Sequence, residues 1–304
     1  MKTVYSEKHK LHHAKLELID GMMKPAVEMP SRAETVLDRV KAVDLGQVIP
    51  ETAHGLDPVL RIHDPRFVSF LQQAWDLWTA EGRDYEALPL AWPTRGLRQV
   101  EPDYIDGKLS YYSFDAGTPI TSGTWQAVAA SADVALTGAD LLHSGEGAAF
   151  SLCRPPGHHA GADVYGGYCF LNNAAIAAQS FIDAGAGRVA ILDVDYHHGN
   201  GTQAIFYDRA DVFFASIHGD PRQEYPFFLG YAEETGKGAG EGCNANYPLS
   251  WGSGFDAWQA ALKDACRRIG DYGPEVLVVS LGVDTFEKDP ISKFKLKSDD
   301  YFTI

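Results

Sequence analysis

Residues 191–201 read ILDVDYHHGNG, and this stretch limits the possible folds and chemistries of the chain more than any other. An apolar strand runs there into two alternating acids, two histidines and two glycines. Successive side chains of a strand point to opposite faces, so Asp193 and Asp195 project together, and His197 joins them if the extended geometry continues. Acids buried beside a histidine on an apolar strand are costly unless paired or bound to metal. Zinc takes such a mixture of oxygen and nitrogen donors, and a catalytic zinc keeps a position open for water or substrate. One further ligand is then needed.

A second β-branched run, from about Val276, ends in Gly-Val-Asp within VLVVSLGVDTFEKDP. Ligands often gather at the carboxyl ends of parallel strands, which makes Asp284 the candidate partner of Asp195 and His197. A lone Asp after a strand also serves as a turn former or helix cap, and that alternative stays open. Upstream, SLCRPPGHHAGADVYGGYCF spans Ser151 to Phe170. Pro155-Pro156-Gly157 rules out helix and makes a rigid approach to His158 and His159. Imidazoles titrate near neutrality and suit a general acid and base; further metal ligation or simple surface exposure are the alternatives. Asp193 offers a carboxylate to the ring N–H of the nearest histidine, which fixes its tautomer. Gly166 and Gly167 allow close approach of backbone to ligand, with Tyr168 and Phe170 available to wall a narrow apolar slot.

Together with VYSEKHKLHHAKLEL, GGYCFLNNAA, FLGYAEETGKG and LGVDTFEKDPIS, these motifs give a resemblance that covers nearly the whole chain. It resembles the arginase/deacetylase superfamily, specifically the histone-deacetylase-like amidohydrolases and, among them, the bacterial acetylpolyamine amidohydrolases. The resemblance implies one zinc ion on Asp195, His197 and Asp284. His159 is then the general base toward the attacking water and later the acid toward the leaving amine, while His158, paired with Asp193, gives electrostatic help. Asn200 is the implied partner of His159, at a position where relatives that deacetylate histones often carry an acid; an amide orients the ring but stabilises its cation less. By the same resemblance the Gly167 carbonyl accepts the leaving amine, Tyr168 and Tyr225 flank the substrate's aliphatic stem, and Ile291 contributes to the floor of the slot. Two structural potassium sites are implied, one from Asp193, Asp195, His197, Ser216 and Ile217, the other from Phe206, Arg209, Val212 and Cys243.

Glu17, Asp103, Asp106 and Asp115 lie in segments that the resemblance places near the active-site mouth. Residues 84–117, rich in Pro, Tyr, Trp and charge, look like an insertion that narrows access and contacts a neighbouring subunit. The implied substrate is a small acetylated cationic amine, such as an acetylated polyamine, and the implied assembly a homodimer. An oxyanion-stabilising tyrosine in a Gly-Gly-Tyr turn is expected beyond the Asp284 region, which Ile304 does not reach, so the domain is expected to be incomplete at its C terminus. Lys297 to Ile304 reads as the start of a helix with Ser298 as N-cap.

At 304 residues and 45% hydrophobic, the chain can bury a large core, and no linker or repeat divides it, so one deacetylase domain over 1–304 is expected. Strand-like AAFSLC, RVAILDVD, DVFFASI and EVLVVSLG alternate with helical Gly123–His143, Asn172–Ala184 and Phe255–Gly270. That order predicts an α/β fold, a central, mostly parallel sheet flanked by helices, as in the arginase/deacetylase fold. A net charge of −15 argues against nucleic acid, which needs Lys/Arg patches, and suits a cationic substrate. Cys153, Cys169, Cys243 and Cys266 show no paired spacing and read as free thiols of a reducing compartment. The N terminus lacks a secretory signal and no run reaches membrane-spanning length, so a cytoplasmic enzyme without membrane partners is expected. A lysine deacetylase acting on peptides or proteins and a non-catalytic metal-binding or sensing protein are the competing functions. An arginase-like site with two metals needs more bridging carboxylates than this pattern supplies.

Overall fold

The N-terminal half builds its sheet from very short strands and takes its bulk from helices. Its elements run β1 (Lys2–Val4), β2 (Leu16–Ile19), β3 (Met22–Pro25), α1 (Pro30–Ala42), β4 (Val48–Ile49), α2 (Asp57–Leu60), α3 (Pro65–Ala80), α4 (Ile105–Tyr112), α5 (Thr124–His143) and β5 (Ala149–Ser151). The computed structural model describes residues 1–19 and 21–303, in two compact units, Met1–Ala177 and Ala178–Ile304.

In the first unit β1 lies parallel between β4 and β5, and β2 and β3 pair as an antiparallel hairpin. Helix α5 starts one residue later than the sequence pattern predicts, because Gly123 takes the N-cap position. Its small residues bring it close to β5: a Cβ on Gly138 would collide with Ser151 Oγ. Helix α3 opens on Pro65, with the Asp64 side chain accepting the Arg66 N–H, the expected N-terminal chemistry. It buries Phe67, Phe70, Leu71, Ala74 and Trp78, a stripe at helical spacing. Phe70 stacks on Tyr112 at 4.7 Å, and Tyr165 stacks on Phe170 at 5.5 Å.

Residues 84–117 hold one helix, α4, and are tied to α3 and the turn after it. Trp78 Nε1 donates to the Tyr85 carbonyl at 2.7 Å and the Tyr104 hydroxyl to Glu81 at 2.8 Å. Arg83 grips Asp106 through two nitrogens and lies 4.1 Å over the Trp78 ring.

Helix α6 (Asn173–Asp183) leads into the second unit, which continues β6 (Val189–Asp193), α7 (Asn200–Phe206), β7 (Val212–Gly219), β8 (Asn244–Leu249), α8 (Phe255–Tyr272) and β9 (Val276–Ser280). Its four strands are all parallel in the order β8-β7-β6-β9. Trp258, Ala261, Ala265 and Ile269 of α8 share a core cluster with Ala190, Leu192, Phe213, Ala215 and Ala245. The molecule is α/β with parallel sheets flanked by helices, as the order of apolar runs predicts. The register of the second sheet positions its loops. Asp193 stands opposite both Ser216 and Ser280, so the segments after β6 and β9 leave the sheet at one level.

The structure corrects three local expectations. Extended geometry does not continue from Asp193 to His197: β6 ends at Asp193 and the chain bends. Two side-chain turns cause the bend, with Asp193 Oδ1 accepting the Asp195 N–H at 3.1 Å and Asp195 Oδ1 accepting the His197 N–H at 2.8 Å, the local hydrogen bonding by which Asp competes with sheet pairing. Helix α8 runs two residues past Gly270 and stops at Gly273, whose φ of 67° is left-handed, a helix terminus that glycine favours. Ser298 is not an N-cap: a short 3₁₀ helix covers Ser298–Phe302, and Lys297 is the cap, its N–H donating to Asp300 at 2.7 Å.

Candidate active site

In the second unit the bend after β6 and the loop after β9 bring the three candidate ligands together. Ligand atoms of Asp195, His197 and Asp284 all lie within 4.8 Å of one another. His197 Nδ1 is 3.0 Å from Asp284 Oδ2 and 3.3 Å from Asp195 Oδ1. Asp284 is oriented from its other side, where Oδ1 accepts the Tyr196 N–H at 2.8 Å. Gly282 leaves room for the first acid, since a Cβ there would collide with Asp195 Oδ2.

The electrostatics of this cluster call for positive charge. Burial lowers the His197 pKa, but hydrogen bonds and charge from Asp195 and Asp284 outweigh it and push the imidazole up to about 10. Burial and the Asp195 charge raise Asp284 to about 6 against the opposing pull of His197. Two carboxylates and one imidazole nitrogen at a small, largely buried locus are a donor set that fits a divalent ion such as zinc. Among the described residues no other group of three or more His, Cys, Asp or Glu side chains is so arranged.

In the first unit His158 and His159 are both buried, with ring centroids 4.0 Å apart. Phe114 stands edge-on to His159 at 6.4 Å, and Gly167 packs directly against the His159 ring. Asp115 anchors the adjoining turn, accepting the Gly167 N–H at 2.5 Å and the Gly117 N–H at 3.1 Å. Tyr168 donates its N–H to Thr118 Oγ1 at 3.0 Å and holds a positive φ of 64°. Glu17 is buried and accepts the Val27 N–H at 2.7 Å. Burial raises its carboxyl pKa, opposed by hydrogen bonds from Val27 and the Tyr168 hydroxyl. Burial, and after it the Glu17 charge, pushes the Tyr168 phenol above its usual range. Glu17, Asp115, Gly167 and Tyr168 therefore form one connected group.

The other candidate residues are more dispersed. Asp106 is held by Arg83, so its charge is already compensated. Asp103 is exposed. Asn200 opens α7, its N–H donating to the His198 carbonyl at 2.8 Å. Tyr225 stands edge-on to His197 at 6.0 Å, and Ile291 is half-buried, its N–H on Asp289 at 3.0 Å. Of the residues implied for the first potassium site, Ser216 lies opposite Asp193 in the β6–β7 pair, and its hydroxyl is 2.8 Å from His218 Nδ1; Ile217 is buried beside it in β7. Phe206, Arg209 and Val212 follow one another from the end of α7 to the start of β7, and the Cys243 carbonyl accepts the Phe214 N–H at 2.9 Å.

A match to the histone deacetylase domain covers residues 26–304. The chain belongs to the histone deacetylase family. It is 64% identical over 304 residues to acetylpolyamine amidohydrolase 2 of Pseudomonas aeruginosa, covering 100% of this chain and 88% of that protein. It is 54% identical to the acetylpolyamine amidohydrolase of Mycoplana ramosa, covering 100% and 89%. The crystal structure of acetylpolyamine aminohydrolase from Burkholderia pseudomallei superposes with a TM-score of 0.92 at 37% identity, covering 99% of this chain and 87% of that one. As a member of this family, the protein is a hydrolase acting on amides.

Two groups of this deacetylase-family chain escape sequence reasoning. Buried Arg154 donates from Nε and Nη2 to the Glu28 carboxylate at 2.8 and 2.9 Å, and from Nη1 to the His9 and His12 carbonyls at 2.6 and 2.9 Å. It thereby fixes the start of the segment that carries His158 and His159. Glu224 gathers donors from Tyr196, Tyr225 and Trp251. The adjacency of Arg154 to the Pro-Pro-Gly-His-His run and of Glu224 to Tyr225 is a signal, but a partner 126 residues away, as Glu28 is from Arg154, leaves no local pattern.

Proposed function

We propose that this protein hydrolyses N-acetylated polyamines, or similarly slim cationic amides, to acetate and the free amine. The observation that carries this is the 64% identity, over the whole of this chain, to a protein named acetylpolyamine amidohydrolase 2. The buried acid Glu17 hydrogen-bonded to Tyr168 gives it a chemical basis, because a carboxylate beside an aromatic wall suits an amine-bearing stem. Asp195, His197 and Asp284 would hold zinc. When bound, the ion supplies Lewis acidity, polarising a carbonyl and lowering the pKa of water.

The chain's own residues do the rest. His159 takes a proton from the attacking water and returns it to the leaving nitrogen as the C–N bond breaks. His158 stabilises the charge that develops beside it, and the backbone carbonyl of Gly167 receives the N–H of the departing amine. Tyr168 and Tyr225 exclude water from the stem. We further propose a homodimer that uses residues 84–117, where Tyr85, Leu90, Leu97 and Val100 are all exposed, more large apolar surface than one loop usually leaves in water.

The test compares turnover of N-acetylputrescine with that of an acetyl-lysine peptide by the zinc-loaded protein, with His159→Ala as control. Preference for the amine, lost in the control, is the expected result. A clear preference for the peptide would replace the polyamine assignment with a lysine deacetylase.

A further inference from the structure

Glu224 immediately precedes Tyr225, and its carboxylate is committed to three donors from three segments. Oε1 accepts the N–H of Tyr225 at 3.0 Å. Oε2 accepts the Trp251 indole N–H at 2.9 Å and the Tyr196 hydroxyl. Space for this junction comes from Gly219, where an added Cβ would lie 3.0 Å from Glu224 Cγ and 3.1 Å from the Tyr196 hydroxyl. Tyr196 and Tyr225 both stand edge-on to His197, with ring centroids at 4.9 and 6.0 Å. One carboxylate thus ties the chain at Tyr225 to the segment that carries His197. Charge-assisted hydrogen bonds of this kind are stronger than neutral ones, and three of them engage both oxygens, so the group is spent on the protein's own donors instead of an amine ligand.

We propose that Glu224 is a positioning residue that holds Tyr225 edge-on to His197 and so sets the width of the slot for the substrate's stem. This rests on the amidohydrolase reading, in which Tyr225 flanks that stem. The loop beyond Tyr225 shows why an anchor is needed. Phe227 stands edge-on to the Tyr225 ring at 6.5 Å but is itself 46% exposed, and Phe228 is 87% exposed, so the loop that backs the ring is open to solvent on its far side.

The experiment is a double-mutant cycle on the zinc-loaded protein, read with N-acetylputrescine. Glu224→Ala should raise KM ~10-fold while kcat changes by less than ~3-fold, the signature of lost binding contacts. In a Tyr225→Ala background the same substitution should add less than ~2-fold, because coupled residues are not additive. Glu224→Gln keeps one acceptor oxygen and should fall between wild type and Glu224→Ala. A readout independent of turnover is chymotrypsin cleavage after Phe227 and Phe228, which should accelerate ~10-fold in Glu224→Ala with cleavage elsewhere unchanged. Additive KM effects, or unchanged cleavage at this loop, would overturn the proposal. If only an acetyl-lysine peptide is turned over, the polyamine assignment fails separately and the same cycle is read with the peptide. If neither is turned over, the cleavage rates decide.

Discussion

The His159 ring packs against the backbone of Gly167, so close that a Cβ on the glycine would collide with His159 Cδ2. The glycine also holds a φ of +57°, a region that L side chains adopt only at a cost of about 1–2 kcal/mol. Gly167→Ala should therefore displace the imidazole and reduce kcat/KM by ~100-fold or more, since small misplacements of a reacting group are expensive. Circular dichroism should show a folded protein. Near-normal activity in this variant would mean that the ring is not used where it stands.

The triad should bind one divalent ion with proton release. His197, at about 10, is protonated at pH 7 without metal, and burial with the Asp195 charge raises the Asp284 carboxyl. Binding at pH 7 should then displace about one proton, and affinity should fall as pH is lowered. Calorimetry in buffers of different ionisation enthalpy measures the proton count, and Asp284→Asn should lower zinc content measured by elemental analysis.

Acid should destabilise the fold through two buried histidines. Burial, and after it the charge of Arg154, lowers His12 to about 3, and burial lowers His63 to about 4. His63 Nε2 accepts the Asn172 N–H at 2.9 Å, which requires a neutral ring. The unfolded chain binds more protons between these values and about 6.5, so their contribution is complete above ~6.5 and is lost as pH falls toward the folded values. Each ring adds at most about 1.4 kcal/mol per pH unit. Urea unfolding from pH 7.5 to 5 should show this slope, and His63→Gln should flatten it.

Removing one partner of the Arg154–Glu28 pair should cost about 3–5 kcal/mol, because it leaves the other charge buried without its main partner, Glu28 keeping only the more distant Arg32 at 3.5 Å. Arg154→Met with Glu28→Met should cost less than the two single changes added together. Denaturant midpoints of the four proteins check this. Additive losses would show that the two groups are energetically independent.

Leu90→Asp together with Leu97→Asp should halve the mass measured by light scattering if residues 84–117 form the dimer contact. Leu90 is 79% exposed and Leu97 60%, so neither change should disturb the fold of the chain itself. An unchanged dimer would place the contact elsewhere.

An Asp-X-Asp-X-His run and an acid just past a second apolar run mark Asp195, His197 and Asp284 as candidates, because ligand chemistry is a local property of a chain, and their ligand atoms do lie within 4.8 Å of one another; strand periodicity does not place them, since β6 ends at Asp193 and β9 at Ser280. The α/β class is legible because apolar runs of strand and helix length alternate in order. Tertiary structure decided what depends on partners distant along the chain or on the exact path of a bend. The turns through Asp193 and Asp195, not a continued strand, present His197 Nδ1 to both carboxylates. The family resemblance implies Asp106 as an acid near the mouth, yet Arg83 compensates its charge. Glu224 carries no motif, and its role exists only because folding brings Tyr196 and Trp251 to its carboxylate. Periodicity reports which face a side chain takes, while hydrogen bonds between remote segments form only when the packed chain holds them within reach.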